Sequence, residues 1–347
     1  MKRIYMDHAA TTPVDKRVLE AMKPFFSDKF GNASSLHTEG QEAREALEKS
    51  REKLAYVIGA DPKEIIFTSG GTESNNFALK GTAFANKNKG RHIITTKIEH
   101  DCVLNSARWL EKQGFDVTYL PVDSYGMVNT NELERAIRDD TILISIMHGV
   151  DMLSMSSHKI YGPKGVGALF IRGGTKIGPL LHGGGHERNM RSGTENVVGI
   201  VGMAEAAKIA NREMQTVMPR ITKFRDKLIR ELLNIPNSYL SGHPEKRLPI
   251  NASFYFKFIE GESLILKLDD RGIAASTGSA CSSKSLKPSH VLLAIGLKPE
   301  EAHGSLRLTL GKENTEEDVS YTIKAVSESV EELRKMSPFK KTFEKVE

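Results

Sequence analysis

The chain has 347 residues, with 49 Lys and Arg, 44 Asp and Glu, 11 His and a formal charge of +5. A hydrophobic share of 39% and a charged share of 27% describe a soluble globular protein, of about two domains at this length, and exclude extended disorder. Two cysteines, Cys102 and Cys281, exclude a disulfide framework and suit a reducing compartment. No apolar run approaches the roughly 18 residues of a membrane span. The stretch Met1–His8 lacks the apolar core of a signal peptide, so the expected setting is cytoplasmic, without a membrane. The basic residues are spread along the chain. Lys335, Lys340, Lys341 and Lys345 read as a solvated tail, too sparse for a nucleic-acid surface.

In chain order, Val14–Phe26 and Gly40–Ile58 carry helical periodicity. Ile65–Thr68 is a short buried strand, followed by the turn Ser69-Gly70-Gly71 and a helix from Thr72. Strand His92–Thr96, helix Asp101–Lys112, strand Asp116–Pro121, helix Asn131–Arg138 and strand Thr141–Met147 continue the alternation. This rhythm predicts a mostly parallel sheet with helices on both faces. It breaks after Met147, because the next strand, Asp151–Ser156, follows within His148-Gly149-Val150. A parallel crossover needs a dozen or more residues, so three residues support only a hairpin or one continuous strand, or else mark the loss of a whole crossover unit. Strand Gly165–Arg172, a polar loop Arg188–Asn196 and a long helix to Leu233 come next. A linker-like stretch spans Asn237–Pro249. Beyond it the pattern becomes α+β: strand Ala252–Phe256, helix Glu262–Leu268, a small-residue loop through Cys281, helix Ser289–Ile295, strand Ser305–Leu310 and helix Glu316–Met336.

Five places carry chemistry. Ser69-Gly70-Gly71-Thr72 joins a strand to a helix, so it is either a tight turn with a threonine cap or a phosphate cradle of free amides. Lys159, after Ser156-Ser157-His158, lies at a strand's carboxyl end, where α/β sheets bind ligands. It is either an exposed loop lysine or one that forms Schiff bases with carbonyl cofactors. Cys281 sits among eight small residues, Ser276–Ser283, which cannot pack a core; a cysteine on such an exposed loop is a candidate nucleophile. Cys102 fits a buried, inert role. His100 closes Lys97-Ile98-Glu99-His100 where a ring could stack on a planar ligand or move a proton. Arg307 interrupts an apolar strand and needs an anionic partner, from the protein or from a substrate.

These residues and their surrounding motifs resemble the cysteine desulfurases of the iron–sulfur assembly type. Those belong to the class V aminotransferases among the fold type I pyridoxal-phosphate enzymes. The motifs are Tyr5–Pro13, Phe30–His37, Thr68–Asn76, Ser157–Gly165, His182–Asn196 and Ser276–Ser283, covering essentially the whole chain. The resemblance implies an α/β, aspartate-aminotransferase-like fold. A large domain would span residues 14–236, and a small α+β domain would be built from residues 1–13 and 237–347. It implies that Lys159 holds pyridoxal 5′-phosphate as a Schiff base. Gly71, Thr72, Ser156, Ser157 and His158 would bind the cofactor, and His100 would stack on its ring. Thr194 would reach the phosphate of a neighbouring subunit in a homodimer. Arg307 would bind the carboxylate of L-cysteine. Cys281 would take its sulfur as a persulfide, leave L-alanine and pass sulfur to an iron–sulfur scaffold protein. Cys281 would also be a transient ligand of a 2Fe–2S cluster. Two other readings accompany this one: a selenocysteine lyase, and a catalytically impaired dimer that docks a scaffold.

The pattern departs from the family at residues 148–150. There the family carries an Asn-Asn-Glu motif, a helix, and a strand with an Asp and a Gln that face the cofactor ring. Both flanks match the family closely, so the junction reads as a deletion. Its expected consequences are weak or absent turnover, and a sheet whose inner strands either re-pair or expose their edges.

Overall fold

β-Branched and aromatic runs set the strands: Ile65–Thr68 and His92–Thr96 are buried at every position. The protein is described by a computed structural model over residues 3–147, 151–278 and 288–337. Among these residues the strands are β1 (Ile4–Tyr5), β2 (Ile65–Thr68), β3 (His92–Thr96), β4 (Asp116–Leu120), β5 (Thr141–Ile144), β6 (Met152–Ser156), β7 (Gly167–Ile171), β8 (Ser238–Leu240), β9 (Asn251–Phe256), β10 (Ile273–Ala274) and β11 (Ser305–Thr309). The chain divides into two compact units. One comprises Thr12–Leu120 and Asn129–Glu213; the other comprises the described residues of Met1–Thr11, Pro121–Val128 and Met214–Glu347. The division falls inside the helix Val197–Leu232.

In the first unit, the expected helix over residues 14–26 is two helices, Lys16–Met22 and Pro24–Ser27. Pro24 lacks an amide hydrogen and opens the second helix, where none is needed. Helix Thr38–Ile58 starts on the His37 ring, which accepts from the Gly40 amide. It stops at Gly59, whose φ of 69° is a left-handed cap. Its Ala43, Leu47, Leu54 and Ala55 pack with Ile65, Phe67 and Ala168. The strands form two separate sheets. In one, β7 lies antiparallel between β2 and β6; in the other, β3 lies parallel between β4 and β5.

Among the described residues the chain forms neither a hairpin nor one continuous strand here. β5 pairs with β3 alone and β6 with β7 alone, so each is an edge strand of its own sheet. Each strand's register is already fixed by the ladder on its other side, and three residues cannot overturn either ladder. Ile144 on β5 and Leu153 on β6 are exposed, 41% and 40%. One helix, Thr82–Asn86, packs on β5, and its Thr82 hydroxyl meets Met152 Sδ on β6 at 3.7 Å.

In the second unit β9 alternates buried and half-buried residues between β8 and β11, all antiparallel. Its core joins Phe254, Phe256, Leu264, Leu306, Leu308 and Val326. β8 lies inside the stretch that reads as a linker, because its Ser-Tyr-Leu carries too little apolar signal to stand out. The helix Glu316–Met336 opens on a reciprocal capping box between Thr315 and Asp318.

His8 is buried in this unit, edge-on to Tyr5 at 4.9 Å and against Gly311, where a Cβ would meet the ring at 2.2 Å. Burial lowers its pKa from 6.5 to about 4. Below pH 6.5 the unfolded chain takes up a proton that the folded ring refuses until about pH 4. Stability therefore falls across that window, by about 3 kcal/mol in all. Urea melts of wild type and His8→Asn at pH 7 and pH 4.5 check this: the wild type should lose more stability between the two pH values than the variant.

Candidate active site

The first unit gathers its functional groups at the carboxyl ends of its strands. After β2 the chain turns at Gly70, whose φ of 154° favours glycine, and enters the helix Gly71–Asn76. The turn is locked from within. Thr68 and Ser74 share a hydroxyl hydrogen bond of 2.7 Å, Ser74 donates to the Ala168 carbonyl, and the Ser69 amide donates to Glu73. A Cβ on Gly71 would lie 3.4 Å from Ser156 Cβ, in ordinary contact, so the start of this helix lies against the end of β6.

β6 runs into the turn Ser157–Lys159. Thr12 holds that turn in place: its amide and its hydroxyl both donate to the His158 carbonyl at 2.9 Å, and its hydroxyl accepts from the Tyr161 amide. Lys159 is exposed at the mouth, and His158 is half-buried. Burial, then the charges of Lys159 and Lys164, lower the His158 pKa, so its ring is neutral near pH 7 and able to donate one hydrogen bond. Ser157 does not join the group. It is fully buried and turned to Gly162, where a Cβ would meet its Oγ at 2.0 Å.

His100 is exposed and caps the helix Asp101–Lys112. Its Nδ1 accepts from the Cys102 amide at 3.1 Å and lies 3.0 Å from Cys102 Sγ. That acceptor role leaves the ring proton on Nε2. Asn75, on the cradle helix, donates to Cys102 Sγ at 3.1 Å, which ties His100 to Gly71 and Thr72 through one thiol. Burial pushes the Cys102 thiol up, in keeping with an inert, positioning role.

Thr194 is exposed on the loop that follows β7. Two clamps fix that loop. Glu187 is buried and accepts from both terminal nitrogens of buried Arg51 at 2.8 Å, and from the Phe67 amide of β2. Arg191 pairs with Glu73 at 2.8 Å. To reach Arg51 the loop takes three consecutive left-handed residues, Glu187, Arg188 and Asn189, with φ of 45°, 56° and 64°. Sequence reasoning does not find this pair: its members lie 136 residues apart and neither stands out from its neighbours.

In the second unit Arg307 lies on β11, with NH2 3.1 Å from the Asp7 carboxylate and Nε buried without a partner among the described residues. Its backbone exchanges both hydrogen bonds with Ser276. Cys281 itself lies outside the described residues. Among the described residues no cluster of His, Cys, Asp or Glu is arranged to hold a metal ion, and no helix is long and apolar enough to cross a membrane.

The aminotransferase class-V family model matches residues 4–149 and 148–322, in two pieces that meet at the junction. The chain is 51% identical to a cysteine desulfurase IscS of Dictyoglomus turgidum, covering 98% of each chain. It is 50% identical to one of Methanosarcina thermophila, covering 97% of this chain and 94% of that protein. The first alignment is 385 positions long against a chain of 347 residues, so at least 38 positions of that relative have no counterpart here. Among solved structures, one titled "NifS-like protein" superposes with a TM-score of 0.89 at 39% identity, over 95% of this chain and all of that one.

Proposed function

The chain belongs to the aminotransferase class-V family, and from that premise we propose that it is a pyridoxal-phosphate-dependent cysteine desulfurase serving iron–sulfur cluster assembly. The observation that carries the reading is the convergence of Gly71, Ser156, His158, Lys159 and His100 at the strand ends of one unit, in a chain about half identical to named cysteine desulfurases over nearly its whole length. The residues fit the phosphate and aldehyde ends of the cofactor. A glycine opens a helix close to Ser156, beside a neutral histidine and an exposed lysine.

Each residue then has a role. The Gly71 and Thr72 amides, Ser156 and His158 hold the phosphate. Lys159 Nζ would hold the aldehyde and, once released, would carry protons to and from the substrate carbon. His100, oriented by the Cys102 amide, would stack on the ring. Pyridoxal phosphate, when bound, supplies the electron sink for breaking bonds at that carbon. Arg307, which among the described residues meets the Asp7 carboxylate, would bind the L-cysteine carboxylate. The Cys281 thiolate attacks the substrate sulfur. The C–S bond breaks as the S–S bond forms, the carbon gains a proton, and L-alanine leaves a persulfide for a scaffold protein. Thr194 completes the phosphate site of a second copy. The exposed Phe26, Phe30 and Leu36, at 64%, 70% and 83%, supply an apolar surface that a homodimer would bury. Selenocysteine lyase activity and a docking role without turnover are the competing readings.

The visible absorption spectrum of the protein with added pyridoxal phosphate tests the reading. A yellow band that shifts with L-cysteine and is absent in Lys159→Ala is expected; a colourless wild-type protein contradicts it.

A further inference from the structure

A half-buried arginine needs an anion, and Arg307 has one from its own chain. Its side chain is 21% exposed, and its Nη2 lies 3.1 Å from Oδ1 of Asp7, whose side chain is 18% exposed. The sequence just past β1 places that acid. Asp7 pairs, parallel, with Thr309 at the end of β11, the strand that carries Arg307. The Asp7 carbonyl accepts from the Tyr5 hydroxyl at 3.1 Å and from the Ala10 amide at 3.0 Å, and the Ala9 amide donates to the Thr309 hydroxyl at 2.9 Å. The backbone of Asp7 is thus fixed beside β11, and only its side chain can turn away from Arg307.

The contact falls on a particular nitrogen. A guanidinium offers a carboxylate two edges of two parallel N–H bonds each: Nη1 with Nη2, and Nε with Nη2. Nη2 belongs to both. A carboxylate that takes two bonds from Arg307 therefore meets the nitrogen that Asp7 already holds, with a like charge beside it. Nε, the other member of the second edge, is buried without a partner among the described residues. We propose that Asp7 is a built-in competitor for Arg307 and sets how tightly the site takes the carboxylate of its amino-acid substrate. The proposal rests on the desulfurase reading, in which Arg307 binds that carboxylate. In the empty site Asp7 offsets the charge of Arg307. With the substrate bound, two carboxylates share one guanidinium, and their repulsion weakens the grip. L-Alanine carries the same carboxylate, so the competition also favours its release.

The test uses the full-length chain loaded with pyridoxal phosphate, and L-alanine as the probe, its binding read as a shift of the cofactor's visible band. Ethylamine, which is alanine without the carboxylate, is the control. Asp7→Asn keeps the size of the side chain and removes its charge. It should bind L-alanine about tenfold more tightly, the scale of one charged hydrogen bond, and ethylamine as the wild type does. Asp7→Ser is the second variant without the charge and should move L-alanine the same way. In Arg307→Met, which should bind L-alanine weakly, adding Asp7→Asn should change nothing further. Unchanged or weaker L-alanine binding in the Asp7 variants overturns the proposal. So does an equal gain for ethylamine, or a gain of the same size without Arg307. An Arg307→Met protein that binds L-alanine as the wild type does removes Arg307 from the carboxylate site and overturns the proposal, while the desulfurase reading stands. Wild-type protein that takes up no cofactor overturns that reading, and this proposal with it.

Discussion

Inserting the segment of the Dictyoglomus turgidum relative between His148 and Gly149 should raise L-cysteine turnover by about 100-fold, the scale on which a preorganised charge partner acts. β5 and β6 each present an unpaired edge, and the Thr82–Asn86 helix already lies against both. A strand placed between them would join two three-stranded sheets into one, cover Ile144 and Leu153, and add the ring partner that this chain lacks at that position. Alanine formation per protomer, with both proteins saturated in cofactor, is the measurement. Equal rates in the two proteins would mean that the split sheet costs the chemistry nothing.

Arg51→Met should lower folding stability by about 3–5 kcal/mol, because it leaves the Glu187 carboxylate buried without its cation. Arg51 is 2% exposed, bonds Glu187 through both terminal nitrogens, donates to the Ile65 carbonyl and lies 4.9 Å from the centre of the Phe67 ring. The double variant Arg51→Met, Glu187→Leu removes both charges and should lose much less than Arg51→Met alone. Glu187 anchors the loop that carries Thr194, so the single variant should also bind pyridoxal phosphate more weakly. Urea unfolding of the three proteins decides the matter, and a loss under about 1 kcal/mol in the single variant would place the loop's anchor elsewhere.

Much of this was legible in the sequence. The apolar runs Ile65–Thr68, His92–Thr96 and Ala252–Phe256 are short and bounded by turn residues, and each forms a strand within a residue of the expected limits. Lys159, Gly71 and His100 stood out in the sequence because each follows the end of a predicted strand, and each does follow a strand in the structure. The broken alternation at residues 148–150 foretold a disturbed sheet, since no parallel crossover fits in three residues. It did not foretell two separate sheets, which depend on the ladders that β3 and β7 make on the far side of each strand. Long-range pairing hides from local patterns for the same reason. Glu187 and Arg51 meet only after the loop takes three left-handed residues, and none of the three is a glycine that would signal it. Glu99 reads as an ordinary polar residue before a helix until folding buries it. Ser157 shows the converse: its neighbours in the motif are at least partly exposed, and its own side chain is buried against Gly162.

The most direct test of the central claim is mass spectrometry of the Cys281 peptide, with L-alanine assayed in parallel, after the cofactor-loaded protein is mixed with L-cysteine. One extra sulfur on Cys281, with alanine formed beside it and both lost in Cys281→Ser, is the result the account predicts. An unmodified Cys281 with no alanine, in a protein that has taken up the cofactor, would contradict it.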